Sequence, residues 1–313
     1  MITPVKFLMK EIILRSLEHA KTNIGNYFHT QSLGYKRYRC FSKILATAPI
    51  FSSNGSSVEL FLITSHADFI MSLLAIKSFI FFAKCDLFIS ILDDGTLTTA
   101  DATTIRKHIK NVNYISGSKF NKTVRQSYGT RSKIYAYKDS YPIRKNIGIH
   151  LCTRKEKIIL MDSDVFFFKK PLEIMRWING NYDGFYIKDC NNAYVLSHIE
   201  ARSLFHVSLQ NNVNSGLIGI CKKDLDIKLN NRLIRIHDTL SKGRHKYFQT
   251  YFSLLFSRLR KIRNIKELPR TYFMSEDHRQ YHSHAFVCVH LITPVRRLFY
   301  EVAEKVLQKM EIQ

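Results

Sequence analysis

The sequence predicts an α/β fold in which a single Rossmann-like domain with a mixed central sheet follows an N-terminal helical extension. From residue 58 onward, apolar runs of strand length alternate with longer segments of helical spacing, which is typical of mostly parallel sheets. Polar residues directly follow several of these runs, and ligands bind beyond the carboxyl ends of such strands. With 313 residues, 45% of them hydrophobic, the chain is long enough to bury one large core. We therefore assign residues 1–57 to the extension and a linker, and residues 58–313 to the domain.

The extension is basic and partly helical in pattern. Its first apolar residues follow helical spacing, and lysines and arginines occupy the remaining positions. A basic amphipathic helix of this kind packs on its own domain or lies on an anionic membrane surface, and both alternatives stay open. The run SSNGSS at 52–57 indicates a linker or a turn. No segment reaches the roughly 18 uncharged apolar residues that a membrane span needs.

The elements of the domain are assigned in chain order from their apolar patterns. The predicted strands are 58–64, 87–92, 112–115, 157–161, 183–188, 216–220 and 285–289. The predicted helices are 69–83, 143–152, 225–240, 247–259 and a terminal helix capped by Thr293. Thr98 and Asp101 have the spacing of a capping box and open a further helix.

Charge and cysteine content limit the partners and the compartment. The 48 lysines and arginines against 25 acidic residues give a net charge of +23, which favours anionic partners such as nucleotide-sugar phosphates or acidic lipids. No recognisable nucleic-acid-binding motif accompanies this charge, so we predict no nucleic-acid partner. The six cysteines are scattered without a C-x-x-C pair, which is typical of reduced thiols. We expect a cytoplasmic protein, with peripheral contact to an anionic membrane as an option.

The most informative run is KIILMDSDVFFF at 157–168. The apolar residues after Lys157 indicate a buried strand, and Asp162 and Asp164 interrupt the pattern before a second apolar run begins. Side chains two residues apart in an extended segment lie on the same side, so both carboxylates can face one ion. Hard oxygen ligands suit Mn²⁺ or Mg²⁺, with phosphates completing the coordination shell. We therefore predict an Mn²⁺ or Mg²⁺ cofactor at this DxD motif.

Five features of the domain occur in a characteristic order. They are a strand ending at Thr64 with His66 and Asp68 after it, the Asp93-Asp94-Gly95 turn, the DxD motif, the Asn214-Ser215-Gly216 segment and His290. In this order, over about residues 58–292, they resemble the GT-A fold glycosyltransferases, most of all the retaining galactosyltransferase and glycogenin-like group. The resemblance implies transfer of a sugar from a nucleotide-diphosphate sugar, a UDP-sugar, to a glycan, lipid or protein acceptor.

The resemblance also implies a metal centre. Asp162 and Asp164 would bind the ion, with Asp164 the more direct ligand, and His290 would be the third ligand. Family members often follow such a histidine with a glycine and a lysine that reaches the diphosphate. Two apolar residues follow here instead, so Arg296 or Arg297 would take the place of that lysine.

Further residues are implied to bind the donor. Asp94 would meet the nucleotide base, basic residues of the helix before the DxD strand would meet the nucleotide or its phosphates, and the Asn-Ser-Gly segment would close over the sugar. A glycine in that segment would let the backbone approach the ligand closely. The implied donor-binding residues are Thr64, His66, Asp94, Arg144, Lys145, Asn214, Ser215 and Gly216.

The acceptor side is less defined. Gln249 matches a position where relatives carry Gln or Glu on the far face of the sugar, and with Asp162 and Asp164 it is a catalytic candidate. Thr250 stands where relatives carry Asp, which leaves the acceptor-side role and the stereochemistry of transfer open.

Two other functions compete with sugar transfer. A nucleotidyltransferase also uses paired carboxylates and a metal, but it needs a Gly-Ser pair shortly before its acids, and Gly117-Ser118 lies far from Asp162. A basic nucleic-acid-binding protein is motivated by the net charge alone.

Overall fold

The computed structural model describes residues 36–236, 246–282 and 285–312. The chain divides into two compact units, residues 1–46 and residues 47–313. The described part of the smaller unit, residues 36–46, is helical and is called α1. The predicted amphipathic helix near the N-terminus lies outside the described residues. The division into an extension at 1–57 and a domain at 58–313 therefore stays a prediction.

The larger unit alternates strands with helices over most of its length. Its strands are β1 (Ile50–Phe51), β2 (Val58–Thr64), β3 (Phe88–Asp93), β4 (Ile109–Lys110), β5 (Asn113–Ile115), β6 (Lys157–Met161), β7 (Val165–Phe167), β8 (Gly184–Lys188), β9 (Val213–Cys221), β10 (Ile265–Glu267), β11 (Tyr272–Met274) and β12 (Cys288–His290). Its helices are α2 (Phe69–Ala83), α3 (Thr99–His108), α4 (Gly117–Tyr128), α5 (Lys133–Ala136), α6 (Tyr141–Cys152), α7 (Leu172–Ile178), α8 (His198–Phe205), α9 (Ile227–Arg235), α10 (Tyr247–Leu259) and α11 (Phe299–Ile312). None of the described helices is long and apolar enough to cross a membrane.

The predicted mixed sheet is confirmed. Seven strands form one sheet in the order β10-β8-β9-β6-β2-β3-β5. The neighbours from β6 to β5 are parallel, whereas β9 runs antiparallel to both β6 and β8. A smaller sheet has the order β11-β12-β7, in which β12 and β7 are antiparallel. The parallel part brings the carboxyl ends of β2, β3 and β6 to the same edge.

The central strands and α2 form much of the core. All seven residues of β2 are buried, as expected for a strand covered on both faces. Helix α2 is apolar on nearly all sides and contacts β7, where the rings of Phe79 and Phe167 lie 4.8 Å apart. The hydroxyl of Ser78 on α2 accepts a hydrogen bond from the backbone N–H of Phe167 at 3.1 Å. This pairing ties the smaller sheet to α2.

Several sequence predictions match the structure residue for residue. The predicted strand 58–64 and the helices 69–83 and 247–259 have the observed bounds, and the capping box of Thr98 and Asp101 is present. The predicted helix 225–240 is observed as Ile227–Arg235, and residues 237–240 lie outside the described residues.

The start of the terminal helix was predicted too early. Residues Thr293–Leu298 form a 3₁₀ turn preceded by Ile292, and α11 begins at Phe299. Val295 and Leu298, three residues apart, are both buried, which matches the three-residue repeat of a 3₁₀ helix.

Candidate functional site

The candidate site lies at the carboxyl edge of the parallel strands. Asp162 and Asp164 follow β6, and the backbone N–H of Asp162 donates to the carbonyl of Gly216 on β9 at 2.8 Å. The chain then enters β7, which pairs antiparallel with β12 so that Val165 stands opposite His290. The DxD motif therefore sits at the junction between the large and the small sheet.

Asp162, Asp164 and His290 come together as a group of potential metal ligands. One ligand atom from each lies within 4.8 Å of the other two, and no other such group occurs among the described residues. Nε2 of His290 is 3.2 Å from Oδ1 of Asp164 and 3.9 Å from Oδ2 of Asp162. These three residues are separated by as many as 128 positions in the sequence, and pairing of β7 with β12 brings them together.

The geometry of this group fits a divalent cation. Ligand atoms bound at right angles to Mg²⁺, at about 2.0–2.1 Å, are about 3 Å apart, and the shortest separation here is 3.2 Å. Oδ1 of Asp164 and Nδ1 of His290 are buried atoms without a hydrogen-bond partner. Because buried polar atoms are normally paired, a cation at this position would supply the partner that the Asp164 oxygen lacks. Carboxylates suit cations such as Mg²⁺ and Mn²⁺, and imidazole binds divalent transition metals, so this donor set is compatible with a divalent cation.

Opposite charges stabilise the ionised forms of Asp164 and His290. Burial by itself would raise the pKa of the Asp164 carboxyl, but the positive charges of His290 and Arg296 outweigh it and lower this pKa. Burial would likewise lower the pKa of His290, yet the carboxylates of Asp164 and Asp162 raise it. Because a metal-ligating imidazole must be neutral, a bound cation would compete with a proton for His290.

Gly216 makes room for the imidazole of His290. A Cβ atom at this position would lie 2.2 Å from Cε1 and 2.6 Å from Nδ1 of His290, far inside contact distance. The sequence led us to expect that this glycine serves close approach of the donor. The structure shows that the space beside its Cα holds the third potential metal ligand.

Lys145 of α6 connects the metal ligands to the 214–216 segment. Its Nζ donates to Oδ1 of Asp162 and, at 3.3 Å, to the carbonyl of Ser215. The same atom lies 4.4 Å from the centroid of the Phe248 ring. The side chain is buried, and these contacts supply the partners that a buried ammonium group requires. A positive charge is thereby held next to the first carboxylate of the DxD motif.

A second polar cluster joins Asn214 and Gln249 through Asp189, which we did not predict. Oδ2 of Asp189 accepts hydrogen bonds from Nδ2 of Asn214 at 3.0 Å and from Nε2 of Gln249 at 2.5 Å. All three residues are buried, and Oδ1 of Asp189 accepts from the backbone N–H of Asn191 at 3.1 Å. Asp189 directly follows β8, so the strand-end position that drew attention to Asp162 would have identified it as well.

Thr64, His66 and Asp94 lie at the ends of β2 and β3, but their side chains point to different partners. The hydroxyl of Thr64 is buried and shares a hydrogen bond of 2.6 Å with a serine of α2. His66 is exposed, with Nδ1 2.7 Å from Oδ2 of Asp101. Oδ1 of Asp94 accepts from the backbone N–H and the hydroxyl of Thr96 at 2.9 and 2.6 Å. Of the three, His66 is exposed and Asp94 is partly exposed, whereas Thr64 is buried.

Arg144, the neighbour of Lys145, contacts the turn after β3 rather than the potential metal ligands. Its guanidinium donates to the carbonyl of Asp93 at 3.3 Å and to Oδ1 of Asn121 at 2.8 Å, and the residue is 1% exposed. A Cβ atom on Gly95, whose φ is +105°, would lie 2.7 Å from Nη1 of Arg144. Arg144 therefore supports the turn after β3 and lines a cavity of about 600 Å³ beside that turn.

Comparison with known proteins identifies the fold. No protein-family model and no curated protein matches the sequence. Among solved structures, the galactosyltransferase LgtC in complex with donor and acceptor sugar analogues is 11% identical, with a TM-score of 0.52 over 81% of this chain and 95% of that chain. The bifunctional glycosyltransferase WbbM is 15% identical, with a TM-score of 0.57 over 83% of this chain and 52% of its own. Mouse xyloside xylosyltransferase 1 is 12% identical, with a TM-score of 0.50 over 76% and 98%.

These likenesses establish the architecture. The mixed sheet and its crossovers are those of the GT-A glycosyltransferases, as the order of motifs predicted. At such low identity the comparisons carry the fold alone, so the roles of individual residues rest on the geometry described above.

Proposed function

We propose that the chain is a metal-dependent glycosyltransferase that transfers a sugar from a nucleotide-diphosphate sugar, a UDP-sugar, to a glycan, lipid or protein acceptor. The observation that carries the proposal is the Asp162, Asp164 and His290 group at the carboxyl edge of a GT-A sheet. Paired carboxylates alone also occur in other metal enzymes. Their position on this fold, with a histidine from the last strand, favours transfer of a sugar.

The residues around the group fit a nucleotide diphosphate. Asp162, Asp164 and His290 would hold Mn²⁺ or Mg²⁺, which supplies positive charge to a leaving diphosphate. Lys145 is fixed beside Asp162 and carries a positive charge that favours the same leaving group. At the neighbouring strand ends, the exposed His66 and the partly exposed Asp94 are available to the nucleotide. Arg144 would act indirectly, by supporting the turn that presents Asp94.

The buried cluster of Asp189, Asn214 and Gln249 fits the sugar. Carboxylate and amide groups recognise hydroxyl groups through directional hydrogen bonds, and their mutual bonds hold these side chains in place before a ligand binds. Lys145 donates both to Asp162 and to the carbonyl of Ser215, the residue after Asn214, so the proposed sugar and diphosphate sites would be adjacent. Within this cluster, Asp189 is our candidate for the carboxylate that acts on the sugar.

A donor screen by thermal shift tests the proposal. We expect one class of nucleotide-diphosphate sugar to raise the melting temperature in the presence of Mn²⁺, because a ligand that binds the folded state stabilises it. Omission of the metal should remove most of this shift. Hydrolysis or transfer from the same donor should follow in an activity assay, with the Asp189→Asn variant reduced in turnover but not in metal binding.

Two outcomes would contradict the proposal. One is the absence of any stabilisation or turnover with a panel of UDP- and GDP-sugars at saturating Mn²⁺. The other is equal stabilisation with and without metal, which would place the nucleotide away from the DxD motif.

Compartment and membrane contact are finer parts of the proposal. All six cysteines are free, which supports a reducing compartment such as the cytoplasm. Peripheral contact with an anionic membrane would use the basic extension, whose first 35 residues lie outside the described part of the chain. Binding of the full chain, and of a chain lacking residues 1–35, to anionic and neutral vesicles tests this point.

A further inference from the structure

Arg296 reaches the metal ligands from the 3₁₀ turn that follows β12. Its Nε is 3.1 Å from Oδ2 of Asp164, and its Nη2 is 3.1 Å from Oδ2 of Asp68. Nη2 also donates to the hydroxyl of Ser163 at 3.3 Å. One guanidinium group therefore joins the start of α2 to the DxD motif.

The contact is specific to this position of the turn. Arg297, the next residue, is exposed and forms no ion pair with any described residue. The side chain of Arg296 is 35% exposed and is held by two carboxylates. Burial of Val295 and Leu298 fixes the turn, and with it the direction in which Arg296 leaves the backbone.

Each carboxylate of the DxD motif thus has a basic partner within the protein. Lys145 pairs with Asp162, and Arg296 pairs with Asp164. A divalent ion bound by the ligand group would lie within a few ångströms of both cations, and like charges at such distances repel. Lys145 is buried and contacts a carbonyl and a ring, whereas the side chain of Arg296 is 35% exposed, so Arg296 can exchange its partner with less loss of burial.

We propose that Arg296 is an exchangeable counter-ion that couples metal binding to donor binding. In the nucleotide-free protein it neutralises Asp164 and weakens the binding of a divalent ion. When a nucleotide diphosphate binds, the guanidinium leaves Asp164 for the phosphate oxygens, to which its planar donors are well suited. Arg296 therefore weakens metal binding when no donor is bound and strengthens it when the donor is bound. This inference rests on the proposed metal-dependent use of a nucleotide diphosphate.

The inference predicts effects of opposite sign for one substitution. Arg296→Gln should tighten Mn²⁺ binding in the absence of nucleotide, because Asp164 loses its competing partner. The same variant should bind UDP more weakly at saturating Mn²⁺, because the diphosphate loses a cation. Coupling between two ligands typically changes affinities by a factor of about 5–150, and we expect each effect to reach at least the lower end of that range.

Isothermal titration calorimetry with the full chain measures both quantities. Mn²⁺ is titrated into protein with and without UDP, and UDP is titrated into protein with saturating Mn²⁺. Arg297→Gln is the matched control: Arg297 was the alternative to Arg296 at the diphosphate, but its side chain is exposed and forms no ion pair with any described residue, so removal of the same charge there should leave both affinities unchanged. Arg296→Lys is a second variant that keeps the charge but cannot bridge Asp68 and Asp164, so its Mn²⁺ affinity without UDP should rise by a smaller factor.

The outcomes separate this inference from the proposed function. Weaker Mn²⁺ binding by Arg296→Gln without UDP would show that the arginine supports the ligand group, and would overturn the inference. Affinities equal to those of the Arg297→Gln control would overturn it as well. If the wild-type chain binds no Mn²⁺ even with UDP present, the proposed function fails, and the inference fails with it.

Discussion

Replacement of Gly216 by alanine should damage the metal centre through His290. The added Cβ would lie 2.2 Å from Cε1 of His290, whereas carbon atoms in favourable contact are about 3.5–4.0 Å apart. The ring must therefore move by roughly 1 Å, because the backbone of β9 is fixed by its pairing with β6 and β8. Nε2 of His290 would then no longer lie 3.2 Å from Oδ1 of Asp164.

The expected loss is one to two orders of magnitude in metal affinity. Changes that misorient a metal ligand typically weaken metal binding about 10–100-fold. This factor corresponds to about 1.4–2.8 kcal/mol of binding free energy. Calorimetric titration with Mn²⁺ in the presence of UDP gives the value directly.

A second glycine of the same strand provides the control. A Cβ on Gly219 would lie 2.1 Å from the ring of Phe185, a buried core residue. Gly219→Ala should lower the melting temperature without changing the Mn²⁺ affinity of the folded protein. Gly216→Ala should instead change the Mn²⁺ affinity more than it changes the melting temperature. Superimposable Mn²⁺ titrations of the wild type and Gly216→Ala would refute the reasoning.

Three further predictions follow from the same structure. Asp164→Asn should abolish transfer while the circular dichroism spectrum stays that of the wild type, because the amide keeps the volume but not the charge; full turnover in the folded variant would exclude Asp164 as a ligand. Asp94→Ala should raise KM for the donor with little change in kcat, since a base contact is made equally in ground and transition states; an unchanged KM would remove Asp94 from the donor pocket. Burial lowers the pKa of Lys77 from 10.5 to about 8. Between these values the unfolded chain binds more protons, so the free energy of unfolding should rise with pH, and Lys77→Met should lack this rise. Denaturant unfolding of both proteins at pH 8 and pH 10 measures the rise in the free energy of unfolding, and an equal rise in wild type and Lys77→Met would contradict the assignment.

The fold was largely predictable because its main elements have strong local patterns. The strand 58–64 and the helix 69–83 are long apolar segments with clear turns beside them, and both bounds are observed as predicted. The 3₁₀ turn at Thr293–Leu298 was not predicted, because Thr293 and Pro294 are equally suited to open an α-helix. The three-residue spacing of the buried Val295 and Leu298 is compatible with either helix, so the local pattern does not distinguish them.

The site was predictable only as a set of strand-end residues. Asp162, Asp164 and His290 could be named from their positions, but the distances of 3.2 and 3.9 Å from Nε2 of His290 to the two carboxylates depend on the pairing of β7 with β12. Arg144 and Lys145 are adjacent in sequence and looked equivalent. Arg144 contacts the turn after β3 and Lys145 contacts Asp162, because successive residues of a helix point about 100° apart.

The antiparallel register of β7 and β12 has a consequence for insertions. His290 reaches Asp164 because Val165, Phe166 and Phe167 pair with His290, Val289 and Cys288 in that order. A slip of one residue would turn the imidazole to the opposite face of the sheet. Within the connection from β11 to β12, the carbonyl of Val287 accepts from the backbone N–H of Phe168 at 2.8 Å and the hydroxyl of Tyr281 donates to the carbonyl of His290 at 2.9 Å, whereas residues 275–280 lie outside the register. Insertions in that part of the connection would change the number of residues between the DxD motif and the histidine without changing the register. A search for related chains should therefore require the last strand but allow a variable spacing before it.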